Sequence, residues 1–152
     1  GKADTAIGGA VNGEEEHFCN HTAEYRIVGE ADPDQDALVA GECSLCGEII
    51  SYSYVANSAY AAFLEAAAER IRNAQTEEVV IETERWVSFN QAVFDAMAKR
   101  PEVTVTVIYR YNGRKYQVTV PAGAEVSGLT DENGFCGFRY LDQIFGGKEL
   151  EK

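Results

Sequence analysis

Apolar positions along the chain change period several times, and each change marks an element. From Asn57 or Ser58, either of which can cap a helix, Tyr60, Phe63, Leu64, Ala67 and Ile71 recur at three-to-four spacing. The filler between them is rich in alanine, which favours the same conformation. Gln75-Thr76-Glu77-Glu78 breaks the pattern, and Val79-Val80-Ile81 then reads as a short buried strand. Ser88 with Gln91 matches a capping box ahead of an apolar stripe, Phe89, Val93, Phe94 and Met97. Pro101 ends that helix, because the residue before a proline avoids the helical region.

The period then shortens to two. Asn112-Gly113 predicts a two-residue type I′ turn, since both positions must take positive φ. Folding about it sets Tyr111 opposite Arg114, Tyr109 opposite Tyr116, Val107 opposite Val118 and Val105 opposite Val120, all on one face. Arg110 with Lys115 and Thr106 with Thr119 take the other face. Pro121-Ala122-Gly123 ends the hairpin, and Asp131-Glu132-Asn133-Gly134 marks a turn. Phe138, Leu141 and Phe145 fit a short helix stopped by Gly146-Gly147, with Phe135 and Ile144 in the same apolar cluster.

Before Asn57 no helical period is visible, so residues 17–55 read as short strands and loops. The expected architecture is α+β. Residues 1–14 form a flexible start, 15–55 a small β-rich module, 56–76 a linking helix, 77–147 a strand-helix-hairpin domain and 148–152 a tail.

Charge sharpens this division. The chain has 152 residues and a formal net charge of −12. Residues 14–48 hold ten acids against the single base Arg26, while 77–152 carry 12 acids and 9 bases. Such a balance repels phosphate backbones, which argues against nucleic acid as a partner. Anionic membrane surfaces are disfavoured likewise, and no apolar run nears the ~20 residues of a membrane span.

The acidic module also carries the chemistry. Cys19-Asn20-His21 and Cys43-Ser44-Leu45-Cys46-Gly47 supply four nitrogen and sulfur donors. A two-residue gap lets a tight turn aim both thiols at one ion, with Gly47 as the permissive residue after it. Cys19 and His21 are two apart, so on a strand they face the same way. His17 shares that alternation and is an alternative ligand to His21. The set suits a closed tetrahedral zinc site. Disulfides remain a second reading, since four cysteines allow three pairings. A thioredoxin-like redox pair would sit at a helix start, whereas a strand-like Glu48-Ile49-Ile50-Ser51-Tyr52 follows here.

Residues 17–50 resemble the zinc-ribbon family, in which a Cys-x-x-Cys-Gly knuckle faces a second ligand pair on a neighbouring strand. Cys-x-His followed by Cys-x-x-Cys-Gly is similar to small ribbon modules of secreted bacterial proteins. The resemblance implies a closed, structural zinc. This chain departs from the four-cysteine form by one His and a one-residue gap in the first pair.

Other motifs carry less. Cys136 lies among phenylalanines and reads as a core thiol, both His residues being in the ribbon segment. Asp32-Pro33-Asp34-Gln35-Asp36 opens like a calcium loop, but Ala37 and Cys43 stand where Gly and Glu are required. There is no phosphate-cradling loop, nucleophile elbow or paired-carboxylate spacing. Tyr111, beside the hairpin turn, and Trp86, before the second helix, are weak candidates for stacking on a ligand such as a sugar. The other hairpin aromatics share a face with valines and read as core.

Residue 1 is Gly, followed by a small, polar stretch, which gives the expectation of a secreted or surface protein of bacterial type whose signal peptide has been removed. The function expected is a non-catalytic module with a structural zinc, recognising a protein or glycan. The alternative is an accessory domain or fragment of an extracellular hydrolase.

Overall fold

The computed structural model describes residues 19–151, so His17 and the N-terminal stretch expected to be flexible lie outside the described residues. These residues form two compact units: residues 19–30 with Leu38–Val55, and Ala31–Ala37 with the chain from Ala56 onward. The whole is a mixed α+β protein.

The first unit is a three-stranded antiparallel sheet of β1 (Ala23–Gly29), β2 (Leu38–Cys43) and β3 (Ile49–Tyr54), with β2 central. It buries little. On its strands the buried side chains are the small Ala40 and Cys43, and no large apolar side chain of this unit is buried among the described residues. Gly41 is closely approached: the Tyr25 ring lies over it, and an added Cβ would meet Ser51 Oγ at 2.5 Å, so either side chain would have to shift.

The second unit opens with α1 (Ser58–Arg72) and continues β4 (Glu78–Glu82), β5 (Ser88–Asn90), α2 (Gln91–Lys99), β6 (Thr104–Tyr111), β7 (Arg114–Val120), β8 (Phe135–Gly137), α3 (Phe138–Phe145) and β9 (Lys148–Glu151). Its main sheet runs β4-β6-β7-β9. The β4–β6 pair is parallel, as a crossover through α2 requires, and the rest is antiparallel. The β6–β7 hairpin has the predicted register throughout, from Val105 opposite Val120 to Tyr111 opposite Arg114. Asn112 and Gly113 both take positive φ, at 52° and 79°. Tyr109 is fully buried, and Thr106 and Thr119 hydrogen-bond across the other face at 3.0 Å.

Four expectations need correcting. The helix expected to link two domains is a core element: Phe63, Leu64, Ala67 and Ile71 of α1 are buried with Phe94 and Met97 of α2. Ser88 does not cap α2, because residues 88–90 pair as a strand with β8 and the cap is Asn90, whose Oδ1 accepts from Val93 N–H at 3.3 Å. The Val79-Val80-Ile81 strand is half-buried: β4 lies at a sheet edge, so Val79 and Ile81 are buried while Val80 is exposed. Residues 148–151, expected as a tail, form a fourth strand on β7.

The start of α1 is capped from a distance. Asn57 sits in the left-handed region at φ 65° and makes no side-chain cap. Asp36 supplies it instead, accepting from Ala59 N–H at 2.7 Å and from Ser58 Oγ at 3.3 Å. Ser58 Oγ in turn accepts from Ala37 N–H at 2.8 Å. The acidic stretch 32–36 is thus tied to the second unit's first helix. At the other end of α1, the Arg100 guanidinium donates to the carbonyls of Ile71, Arg72 and Ala74, a cation at a helix C-terminus. Replacing Asp36 by alanine is expected to cost about 1 kcal/mol, and at most about 2, in a urea unfolding midpoint followed on the second unit. Asp36→Asn, which keeps an acceptor, is expected to recover most of that loss.

Candidate metal centre

The local chain path explains how four distant ligands meet. Cys43 ends β2, and residues 44–46 turn before β3 begins at Ile49. Gly47 N–H donates to Cys43 O and Cys43 N–H to Glu48 O, each at 2.8 Å, which closes a tight knuckle. Gly47 takes φ 78°, where a side chain would be strained. Ser44 then fastens the knuckle to the first ligand pair: its N–H and its Oγ both donate to Thr22 O, at 2.9 and 3.2 Å. Cys19 and His21 lie just ahead of β1 rather than on a strand, so this tie and not strand alternation sets their direction.

One ligand atom from each of Cys19, His21, Cys43 and Cys46 lies within 4.8 Å of the others. The Sγ atoms of Cys19 and Cys43 are 3.5 Å apart, and Cys46 Sγ is 3.9 Å from His21 Nδ1. Tetrahedral coordination at about 2.3 Å requires ligand spacings of roughly 3.8 Å, so the donors fit one ion of that size. A disulfide requires about 2.05 Å, and none of the four cysteines forms one. Burial is uneven: Cys43 is 1% exposed, Cys19 half-buried, and His21 and Cys46 exposed.

Protonation in the cluster is contested. The hydrogen bond from His21 lowers the Cys43 thiol to about 5, burial opposes the shift, and backbone N–H groups of Leu45, Thr22 and Cys46 support the thiolate. Cys19 moves the other way, to about 11, first through burial and then through the neighbouring sulfurs of Cys43 and Cys46. Cys19 and Cys43, whose sulfurs lie 3.5 Å apart, are thus driven in opposite directions. A divalent ion held by the cluster would remove that conflict by favouring both as thiolates.

Cys136 stands apart. It is buried, its Sγ lies 3.7 Å from Gly137 O, and burial pushes its thiol up to about 11. With metal bound, Cys19, Cys43 and Cys46 are expected to resist a chromogenic disulfide reagent. A chelator should release three reactive thiols, and the fourth should react only in denaturant. Four reactive thiols in the native, chelated protein would contradict the burial of Cys136.

The two weak ligand candidates are differently placed. Trp86 packs against Tyr60 with ring centroids 5.1 Å apart, carries the Arg85 guanidinium 4.4 Å over its ring, and donates from Nε1 to Pro33 O at 2.9 Å. It is therefore occupied in packing. Tyr111 is 42% exposed, as its place beside the turn suggests, with Arg139 5.4 Å from its ring centroid. Sequence reasoning overlooked Thr22, whose carbonyl binds the knuckle. A threonine next to a ligand carries no distinguishing mark in the chain.

No helix among the described residues is long and apolar enough to cross a membrane. Fold and site together define a small α+β protein with a Cys/His cluster able to hold one metal ion. Comparison of the chain with protein-family models, with curated proteins and with solved structures finds no match.

Proposed function

We propose that the cluster is a structural zinc centre in a zinc-ribbon-like module, and that the chain is a non-catalytic recognition module, secreted or displayed at a cell surface. The observation that carries the metal reading is the meeting of three sulfurs and one imidazole within 4.8 Å. Soft thiolates with imidazole in a tetrahedral set select zinc over hard cations. Four protein donors fill the coordination sphere and leave no position for a substrate, which favours structure over catalysis. The scant burial in the first unit supports the same role, because a sheet with no large buried apolar side chain needs another source of folding energy.

Secretion and recognition of a protein or glycan rest on the resemblance to ribbon modules of secreted bacterial proteins and on the exposed aromatics of the first unit. Metal analysis of the purified chain alongside a thiol count tests the centre. One zinc per chain with Cys19, Cys43 and Cys46 reduced is expected. Absence of metal together with loss of all three free thiols would overturn it.

A further inference from the structure

The first unit's sheet has two edges, β1 and β3, and they are protected differently. β1 carries Glu24 and Arg26 and a register shift between Ile27 and Gly29. Charges and bulges of this kind are what natural sheets use to blunt an edge. β3 reads Ile-Ile-Ser-Tyr-Ser-Tyr, without charge or proline. Its irregularity lies at the start, and Ser51 to Tyr54 run in regular register with Gly41 to Leu38. Among the described residues its outer side therefore offers backbone donors and acceptors with no device against a further strand.

The side chains beside that edge are distinctive. Register places Tyr52 and Tyr54 on one face of the sheet, and they are 64% and 60% exposed. On the same face Tyr52 lies across from Ala40, which lies across from Arg26. Next along, Glu24 stands directly opposite Glu42. Arg26 Nε engages Glu42 at 3.1 Å, so one guanidinium stands against the two carboxylates of Glu24 and Glu42 and the tyrosine face keeps a net negative charge. Over residues 19–30 and 38–55 the balance is four glutamates to one arginine.

We propose that the β3 edge takes up an extended, Lys- or Arg-bearing peptide segment of a partner protein as a fourth strand of this sheet. The proposal rests on the recognition reading above and names its partner class. In strand addition the main chain supplies affinity and alternate side chains supply specificity. A cationic side chain opposite Tyr52 or Tyr54 lies along the tyrosine ring, where cation–π attraction adds to the net negative charge of the unit. A second copy of this chain suits the edge less well, since pairing two β3 strands joins two faces of the same sign.

The test uses the full chain and a fluorescent probe peptide of sequence Lys-Thr-Val-Lys-Val-Thr-Lys. Two controls accompany it: a twin with Glu for Lys, and the same cationic peptide methylated on alternate backbone nitrogens. Anisotropy is expected to show saturable, salt-weakened binding of the parent peptide, at least tenfold weaker binding of both controls, and amide shifts centred on β3. Tyr52→Ser with Tyr54→Ser, checked for unchanged metal content, should weaken the parent peptide about tenfold.

Equal binding of the acidic twin, full binding of the methylated peptide, or shifts centred on β1 or the second unit would each overturn the proposal. So would a glycan that perturbs Tyr52 and Tyr54 in a protein indifferent to the peptide, or a concentration-dependent dimer sealed through β3. Metal content on the same samples separates the two readings. Zinc-loaded protein that ignores the probe overturns the edge proposal alone, and zinc-free protein that binds it overturns the metal reading alone.

Discussion

Replacing Cys43 by serine is expected to strip the metal from the protein and melt the three-stranded sheet, while the second unit keeps its fold. Cys43 is the most buried of the four cluster residues and the knuckle is built around it, its N–H donating to Glu48 O and its carbonyl accepting from Gly47 N–H. A serine hydroxyl does not ionise near neutral pH and gives a soft ion no thiolate. Structural zinc contributes about 10–16 kcal/mol to folding in small zinc-finger peptides, as much as the whole net stability of an ordinary domain, about 5–15 kcal/mol. With no large apolar side chain buried in the sheet, nothing remains to replace that contribution. Metal stoichiometry should fall from one to near zero. Amides of β1 to β3 should lose hydrogen-exchange protection, while those of β6 and β7 stay protected. A variant that loses its metal and retains a protected sheet would show that the ion does not hold this unit together.

Phe89→Ala should produce the largest loss in the second unit. Phe89 is fully buried on β5 and joins three helices: its ring centroid lies 6.2 Å from Phe63 of α1, 6.0 Å from Phe94 of α2 and 4.8 Å from Phe138 of α3. The last two meet edge to face, the favoured geometry for aromatic pairs. Truncation removes the transfer energy of a phenyl ring and leaves a cavity that three helices cannot all collapse into, a cost of about 3–5 kcal/mol. For a unit of this size each kcal/mol lowers Tm by roughly 4–8 °C, so a fall of more than about 10 °C is expected by calorimetry. Phe89→Leu should cost less than half as much. A shift under about 4 °C for the alanine variant would mean that the aromatic cluster does not carry the core.

How much of this was legible in the chain depends on the range over which each signal acts. The hairpin could be read in full because turn chemistry, register and alternation are all local and agree around Asn112-Gly113. The Cys/His cluster was legible for a similar reason: spacing alone brings Cys43 and Cys46 together, and few other donors compete. What stayed hidden is nonlocal. Ser88 and Gln91 make a plausible capping box until Phe89 pairs with Cys136, a partner that no window around residue 88 contains. Asp36 caps a helix that begins 22 residues later, and Arg100 closes the far end of the same helix. The exposed and buried sides of α1 look alike whether the helix links two domains or sits in one. Only the partners Phe89, Phe94 and Met97 decide the matter.

The β6–β7 hairpin, finally, has a consequence for the order of events rather than for the finished fold. Its two-residue turn gives it the shortest loop to close, and hairpins of this kind form in roughly 1–10 μs. The β5–β8 pair and the parallel β4–β6 pair each wait for a long intervening stretch to be gathered in, and such distant pairings slow folding. The hairpin is thus the natural template on which β4 later docks, and substitutions at Val107 or Val118 should slow refolding more than they speed unfolding. Substitutions in β8 should do the reverse.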